Sequence, residues 1–170
     1  MAAPTFQLSE SNGSGATVTD NIPQIAYASV DSASSSSLSS SNPITAGNNS
    51  YEKYNRVKCT GAAPNSIGSF GFYYSSTAPQ DSAGSSSTVS LYYDAASNPS
   101  FATPVATTSS VATSNTTGNT SSPGQSLNAP ANSSGSYSGY MVTQFRSTSG
   151  AAGGNCTFAS PELTIGYVWS

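Results

Sequence analysis

Apolar residues in this chain come in short runs rather than in long helical stripes. The runs are "TFQLS" (5–9), "QIAYASV" (24–30), "YNRVKCT" (54–60), "SIGSFGFYYS" (66–75), "STVSLYY" (87–93), "FATPV" (101–105), "GYMVTQFRS" (139–147) and "ELTIGYVWS" (162–170). Each is rich in β-branched or aromatic residues and is bounded by Ser, Gly, Asn or Pro, the signature of strands separated by turns. No long segment carries helical periodicity with caps. The pattern predicts an all-β protein, an antiparallel β-sandwich (jelly-roll or Ig-like) of about eight strands with long Ser/Thr/Gly-rich loops and negligible helix.

Alternation within the runs assigns faces. In the last one Leu163, Ile165, Tyr167 and Trp169 share a face that should be core, and Glu162, Thr164, Gly166 and Val168 share the other. Met141, Thr143 and Phe145 oppose Tyr140, Val142, Gln144 and Arg146. Apolar residues on both faces at the start of that run suit a central strand or one at an interface. In "GSFGFYYSS", Phe70, Phe72 and Tyr74 fall together and Gly71 and Tyr73 fall opposite. A core strand is the favoured reading, with a sugar-stacking platform as the other.

Three tracts of low complexity, 31–43, 75–87 and 107–139, alternate with the runs too often to mark a domain boundary. The longest should hold short strands near Val111 and Leu127, because structureless loops of that length are rare in compact domains. The expectation is a single domain over 1–170, with residues 1–20 a candidate extended N-terminal arm.

Composition narrows the function. Charged residues are 6% of the chain, against roughly 25% in ordinary soluble domains. The net charge of −3 leaves no basic surplus for phosphate backbones, so nucleic acid is not an expected partner. Solubility must rest on hydroxyls and amides. The apolar content predicts a thin core that needs a disulfide, oligomerisation or a partner surface. "MAAPTFQLSESNGSG" lacks the layout of a secretory signal. No apolar run approaches the ~20 residues that span a bilayer. With Met1 in first place, the expectation is a complete product made in the cytoplasm, without a membrane partner.

Cys59 and Cys156 are the two cysteines. They form either a disulfide, worth ~4–5 kcal/mol for so long a loop in the chain-entropy model, or two buried thiols, as cytoplasmic synthesis favours. Without histidine they cannot complete a usual zinc site. The absence of histidine also removes the Ser-His-Asp and Cys-His machineries. Seven acids stand mostly alone beside turns. No phosphate loop lies between a strand and a helix. No catalytic residue, metal or cofactor is expected.

"YEKYNRVKCT" (51–60) concentrates charge in a chain that avoids it, holding three of the four basic residues. As a strand it places Lys53, Asn55, Val57 and Cys59 on one face and Glu52, Tyr54, Arg56, Lys58 and Thr60 on the other. Val57 and Cys59 should turn inward. Tyr54, Arg56 and Lys58 then form an outward basic and aromatic row. That row is either a solvated strand face, with Glu52 as a weak surface partner, or a candidate interface for an acidic or polar partner.

The strings "NPITAGNNSYEKYNRVKCTG", "SIGSFGFYYSS", "LYYDAASNPSFATPVATTSSVAT" and "YMVTQFRSTSGAAGGNCTFASPELTIGYVWS" carry a resemblance over roughly residues 42–170. They resemble small β-sandwich head-associated proteins of tailed bacteriophages, which decorate or cement the capsid. Ser50, Tyr51, Glu52, Lys53, Arg56, Thr103, Pro104, Val105 and Gln144 match the pattern; the two cysteines are not part of it. The resemblance implies a non-enzymatic virion structural protein on the capsid exterior, with the major capsid protein as partner and a homotrimer as the assembly. The alternative is an exported cell-surface adhesin or carbohydrate-binding β-sandwich module.

Overall fold

The computed structural model describes residues 2–63, 65–74, 80–94, 99–106, 114–115, 125–153 and 163–169, with backbone alone at 72–74, 93–94, 114–115, 125, 163–166 and 169. Nine strands and one helical turn are seen in these segments: β1 (Thr5–Asn12), β2 (Thr17–Asp20), α1 (Leu38–Ser41), β3 (Lys53–Gly61), β4 (Ile67–Tyr74), β5 (Val89–Asp94), β6 (Ser114–Asn115), β7 (Gln125–Ser126), β8 (Met141–Ser147) and β9 (Leu163–Trp169). They form a six-stranded sheet of order β2-β1-β3-β8-β5-β6 and a three-stranded sheet of order β7-β4-β9. The strand pairs are antiparallel. The all-β expectation therefore stands, and α1 is a single turn that buries Leu38.

Residues 5–20 join the large sheet. β1 and β2 form a hairpin, and β1 then pairs with β3 from Thr5↔Gly61 to Ser11↔Tyr54. The reversal after Asn12 uses Gly13 at φ +68°, a left-handed conformation that glycine adopts at least cost. Gly61 serves another purpose. A Cβ there would lie 2.6 Å from Thr5 Oγ1, so its small size admits the close approach of β1 at the bulge beside Thr5.

The two sheets meet through one apolar cluster. Val57, Phe70, Leu127 and Met141 are buried, with Phe6, Ile25, Ile67, Ala129 and Tyr167 packed around them. Phe6 of the large sheet makes edge contacts with Phe70 (5.7 Å between ring centres) and Tyr167 (5.0 Å) of the small one. Tyr167 thus faces the core while Val168 is 62% exposed, as the alternation in the last run predicts. A second cluster holds Val89, Leu91 and Phe145, covered by Tyr27 and Ile44. β8 lies between β3 and β5 and is buried on both faces from Met141 to Phe145, the central position its two apolar faces suggest.

Two expected strands are something else. Residues 24–30 alternate as a strand would, but they make no ladder. Ile25 and Tyr27 turn to the sheet clusters, and Ala26 and Ala28 turn to Leu38. The backbone is satisfied locally: Ala26 N donates to Ser34 Oγ (2.9 Å), Ser29 N to Asn42 O (3.1 Å), and Ala28 O accepts from Tyr51 N (3.0 Å). The segment is an extended strap across the sheet. Residues 101–105 contain Pro104, which has no N–H for a ladder, and they bond instead to Glu52 and Gln144. Conversely, β2 is a strand that its polar sequence TVTD does not announce. The short strand expected near Leu127 is β7. Val111 lies outside the described residues.

Asp81 fastens the loop before β5. Its carboxylate accepts from Ala152 N (3.0 Å), Thr88 Oγ1 (2.7 Å), Ser85 N (2.9 Å) and Ala83 N (3.0 Å). These donors outweigh the desolvation that opposes them and hold its pKa at about 2, below the ordinary 3.8. Such a group contributes stability that is complete above its unfolded pKa and is lost as pH falls through the folded one. The expected result is a steep loss of stability from about pH 4 to pH 2, and a flatter acid limb in Asp81→Asn. Urea midpoints across a pH series check it; equal slopes in the two proteins would exclude the carboxylate as the cause.

Candidate functional site

β3 carries the charge concentration of the sequence, and its two faces use it differently. On one face Lys53, Asn55, Val57 and Cys59 are all buried. Lys53 is fully enclosed and donates to Glu10 Oε1 (2.8 Å) and Ser32 O (2.6 Å). Glu10 is equally enclosed. It also accepts from Asn12 Nδ2 at Oε1 (2.8 Å) and from Ser34 Oγ at Oε2 (2.5 Å). Two ions removed from water are tolerated only when paired and hydrogen-bonded, and Asn12, Ser32 and Ser34 supply those bonds. Asn55 is fully buried beside this pair, and neither side-chain polar atom has a partner among the described residues.

The other face holds the expected row of Tyr54, Arg56 and Lys58, but the row does not stand bare. Tyr54 is 4% exposed, which corrects its outward placement: Phe101 (5.0 Å) and Tyr140 (5.8 Å) pack over its ring. The Arg56 guanidinium lies 3.8 Å from the centre of the Tyr137 ring and 4.9 Å from that of Tyr140, a partly buried cation–π stack. Residues 135–138 reach this position by running along β3, with Cys59 N donating to Ser136 O (2.8 Å) and Ser138 N to Val57 O (2.8 Å). Lys58 is partly exposed and pairs with Asp20 Oδ2 (2.5 Å).

Asp20 is the hub of this face, accepting also from Ser9 Oγ (2.7 Å) and Tyr137 Oη (3.0 Å). Desolvation acts upward on its carboxyl, but the bonds from Lys58, Ser9 and Tyr137 together hold it below 3.8. The bond to Asp20, helped by Tyr137, raises Lys58 above 10.5 despite an opposing desolvation. The pair is therefore charged between those two values, and its stabilisation is lost as pH falls below the first or rises above the second.

Glu52 is not the weak surface partner expected. It is 4% exposed, its N–H donates to Val105 O (3.1 Å), and Val105 N reaches its Oε2 at 3.4 Å. Desolvation pushes its carboxyl above 4.5 against the Val105 bond. Gln144 donates from Nε2 to Ser50 O (3.0 Å) and Val105 O (3.2 Å), and Phe145 N donates to Ser50 Oγ (3.0 Å). Four residues of the resemblance, Ser50, Glu52, Val105 and Gln144, thus form one connected node.

Cys59 is buried, with Sγ 3.4 Å from Gly61 O, and has no disulfide partner among the described residues. Cys156, its candidate disulfide partner, lies outside the described residues, as do the side chains of Phe72, Tyr73 and Tyr74. Among the described residues no group of three or more His, Cys, Asp or Glu is arranged to hold a metal ion, and no helix is long and apolar enough to cross a membrane. Comparison with protein-family models, with curated proteins and with solved structures finds no match to this chain.

Sequence reasoning missed the Glu10–Lys53 pair. The signal was present: Lys53 shares the face of Val57 and Cys59, and a lysine on a buried face demands an acid. What the sequence lacks is the register that brings Glu10 opposite Asn55.

Proposed function

We propose that this chain is a non-enzymatic virion structural protein, a decoration or cement protein that coats the outer surface of a phage head. It folds as a two-layer β-sandwich and binds the major capsid protein as a homotrimer, without a cofactor, nucleic acid or membrane. The observation that carries this reading is the node of Ser50, Glu52, Val105 and Gln144. These four of the nine residues of the resemblance come from three separate stretches of chain, yet they form one hydrogen-bonded unit. Beside it, Arg56, Lys58, Tyr137 and Tyr140 form a partly exposed aromatic and basic patch, a composition enriched at interface cores in its Arg and Tyr.

The test has three parts. The coding neighbourhood should hold capsid and portal genes, the purified protein should be trimeric by light scattering, and it should co-sediment with heads of the same phage. A neighbourhood of secretion or glycan-utilisation genes, with binding on a glycan array, would replace this reading by the exported adhesin or carbohydrate-binding module.

A further inference from the structure

Glu10 Oε1 accepts two hydrogen bonds of 2.8 Å, one from Lys53 Nζ and one from Asn12 Nδ2. The two nitrogens are therefore separated by no more than the sum of those distances. The ladder explains their meeting. Glu10 pairs with Asn55 and Ser11 with Tyr54, so the next position of the antiparallel register sets Asn12 opposite Lys53 on the same face. Side chains so placed start ~4.5–5.5 Å apart at Cβ. All three residues are buried: Lys53 and Glu10 fully, and Asn12 to 8% exposure. Asn12 Oδ1 has no partner among the described residues, while its Nδ2 is held by two acids, Glu10 and Asp31 (3.0 Å).

A primary amine, a carboxamide and a carboxyl group touching both nitrogens, enclosed from water, are the components of an amide exchange. We propose that Lys53 and Asn12 join in an intramolecular isopeptide bond, with Glu10 as the proton relay. Glu10 takes a proton from the Lys53 ammonium along their hydrogen bond. The freed Nζ lone pair attacks Asn12 Cγ, forming the new C–N bond and a tetrahedral centre. Glu10 returns the proton to Nδ2 along its other hydrogen bond. The Cγ–Nδ2 bond breaks, the carbonyl re-forms, and the second Nζ proton passes through Glu10 as ammonia departs. In sum, one alkylammonium and one carboxamide give one secondary amide and one ammonium ion, with no oxidant or added reagent. Holding both nitrogens on one carboxylate oxygen supplies the effective concentration that an unactivated amide needs, and a relay touching both nitrogens supplies general acid–base catalysis. Exclusion of water removes hydrolysis as a competitor. The bond ties β1 covalently to β3.

The experiment is intact-mass measurement of the folded, purified chain after denaturation, followed by tryptic mapping. The expected mass is that of the sequence less one ammonia. An acylated Lys53 is no longer a trypsin site, so the digest should yield residues 1–56 as one peptide, lighter by ammonia, with fragment ions linking Asn12 to Lys53. A succinimide at Asn12–Gly13 also sheds ammonia but leaves the bond after Lys53 open to trypsin, so cleavage there overturns the proposal. So does a full sequence mass in protein with a native β circular-dichroism spectrum. Both readings are made on wild type and need no variant to fold. Asn12→Ala and Glu10→Gln should each restore the full mass and cleavage after Lys53; a loss of ammonia that survives Asn12→Ala overturns the assignment to that side chain.

Discussion

Glu10→Ala should lower the stability of the fold by at least about 3–5 kcal/mol, the cost of leaving one member of a buried ion pair without the other, and by more where the wild type carries the proposed Asn12–Lys53 amide, because the variant then lacks that tie as well. Glu10 and Lys53 are both fully enclosed. Without the carboxylate, the Lys53 ammonium keeps its bond to Ser32 O but loses the opposite charge, and Asn12 and Ser34 lose their acceptor. Domains of this kind are stable by only ~5–15 kcal/mol, so the loss is a large share of the total. A paired replacement, Glu10→Leu with Lys53→Met, should be more stable than Glu10→Ala alone, because it removes both charges and fills the space with apolar atoms. Urea unfolding with an unchanged slope and a shifted midpoint measures both. A loss below ~1 kcal/mol in the single variant would mean that the pair behaves like an exposed one.

Lys53 also shows where the sequence could be read and where it could not. Strand alternation put it on the face of Val57 and Cys59, and it lies there. Its partner stands 43 positions away, fixed by a register that a single sequence does not encode locally. The strands β3, β4, β5, β8 and β9 were legible because β-branched and aromatic residues cluster in them. β2 was not, since TVTD becomes a strand by pairing with β1. The strap at 24–30 has strand-like alternation because both its sides are covered, by the sheet clusters and by Leu38. Alternation reports two differing faces and says nothing about whether the backbone pairs in a ladder. The outward row failed at Tyr54 for a related reason. Phe101 and Tyr140 come from distant segments and cover a face that strand periodicity alone leaves open.

That cover decides how the proposed contact patch must be tested. Tyr54→Ala deletes a ring packed between Phe101 and Tyr140, and should cost about 3–5 kcal/mol of folding stability, as aromatic truncations in cores do. A weak association by that variant would therefore report a damaged fold and say nothing about contact. Tyr54→Phe keeps the packed ring and is the proper companion. Arg56 differs. Its stack on Tyr137 and Tyr140 is worth about 0.5–2 kcal/mol, so Arg56→Ala should remain folded with a modestly lower urea midpoint. If Arg56 anchors the partner surface, the same variant should lose about 2 kcal/mol or more of binding, beyond its stability loss. Lys58→Ala should change mainly the salt dependence, because Lys58 is partly exposed and already paired with Asp20. The measurement is particle occupancy over a salt series for wild type, Tyr54→Phe, Arg56→Ala and Lys58→Ala, each first shown folded. Wild-type binding by Arg56→Ala at every salt concentration would assign the guanidinium to holding Tyr137 and Tyr140 over β3, and the basic residues of this face would then serve the fold alone.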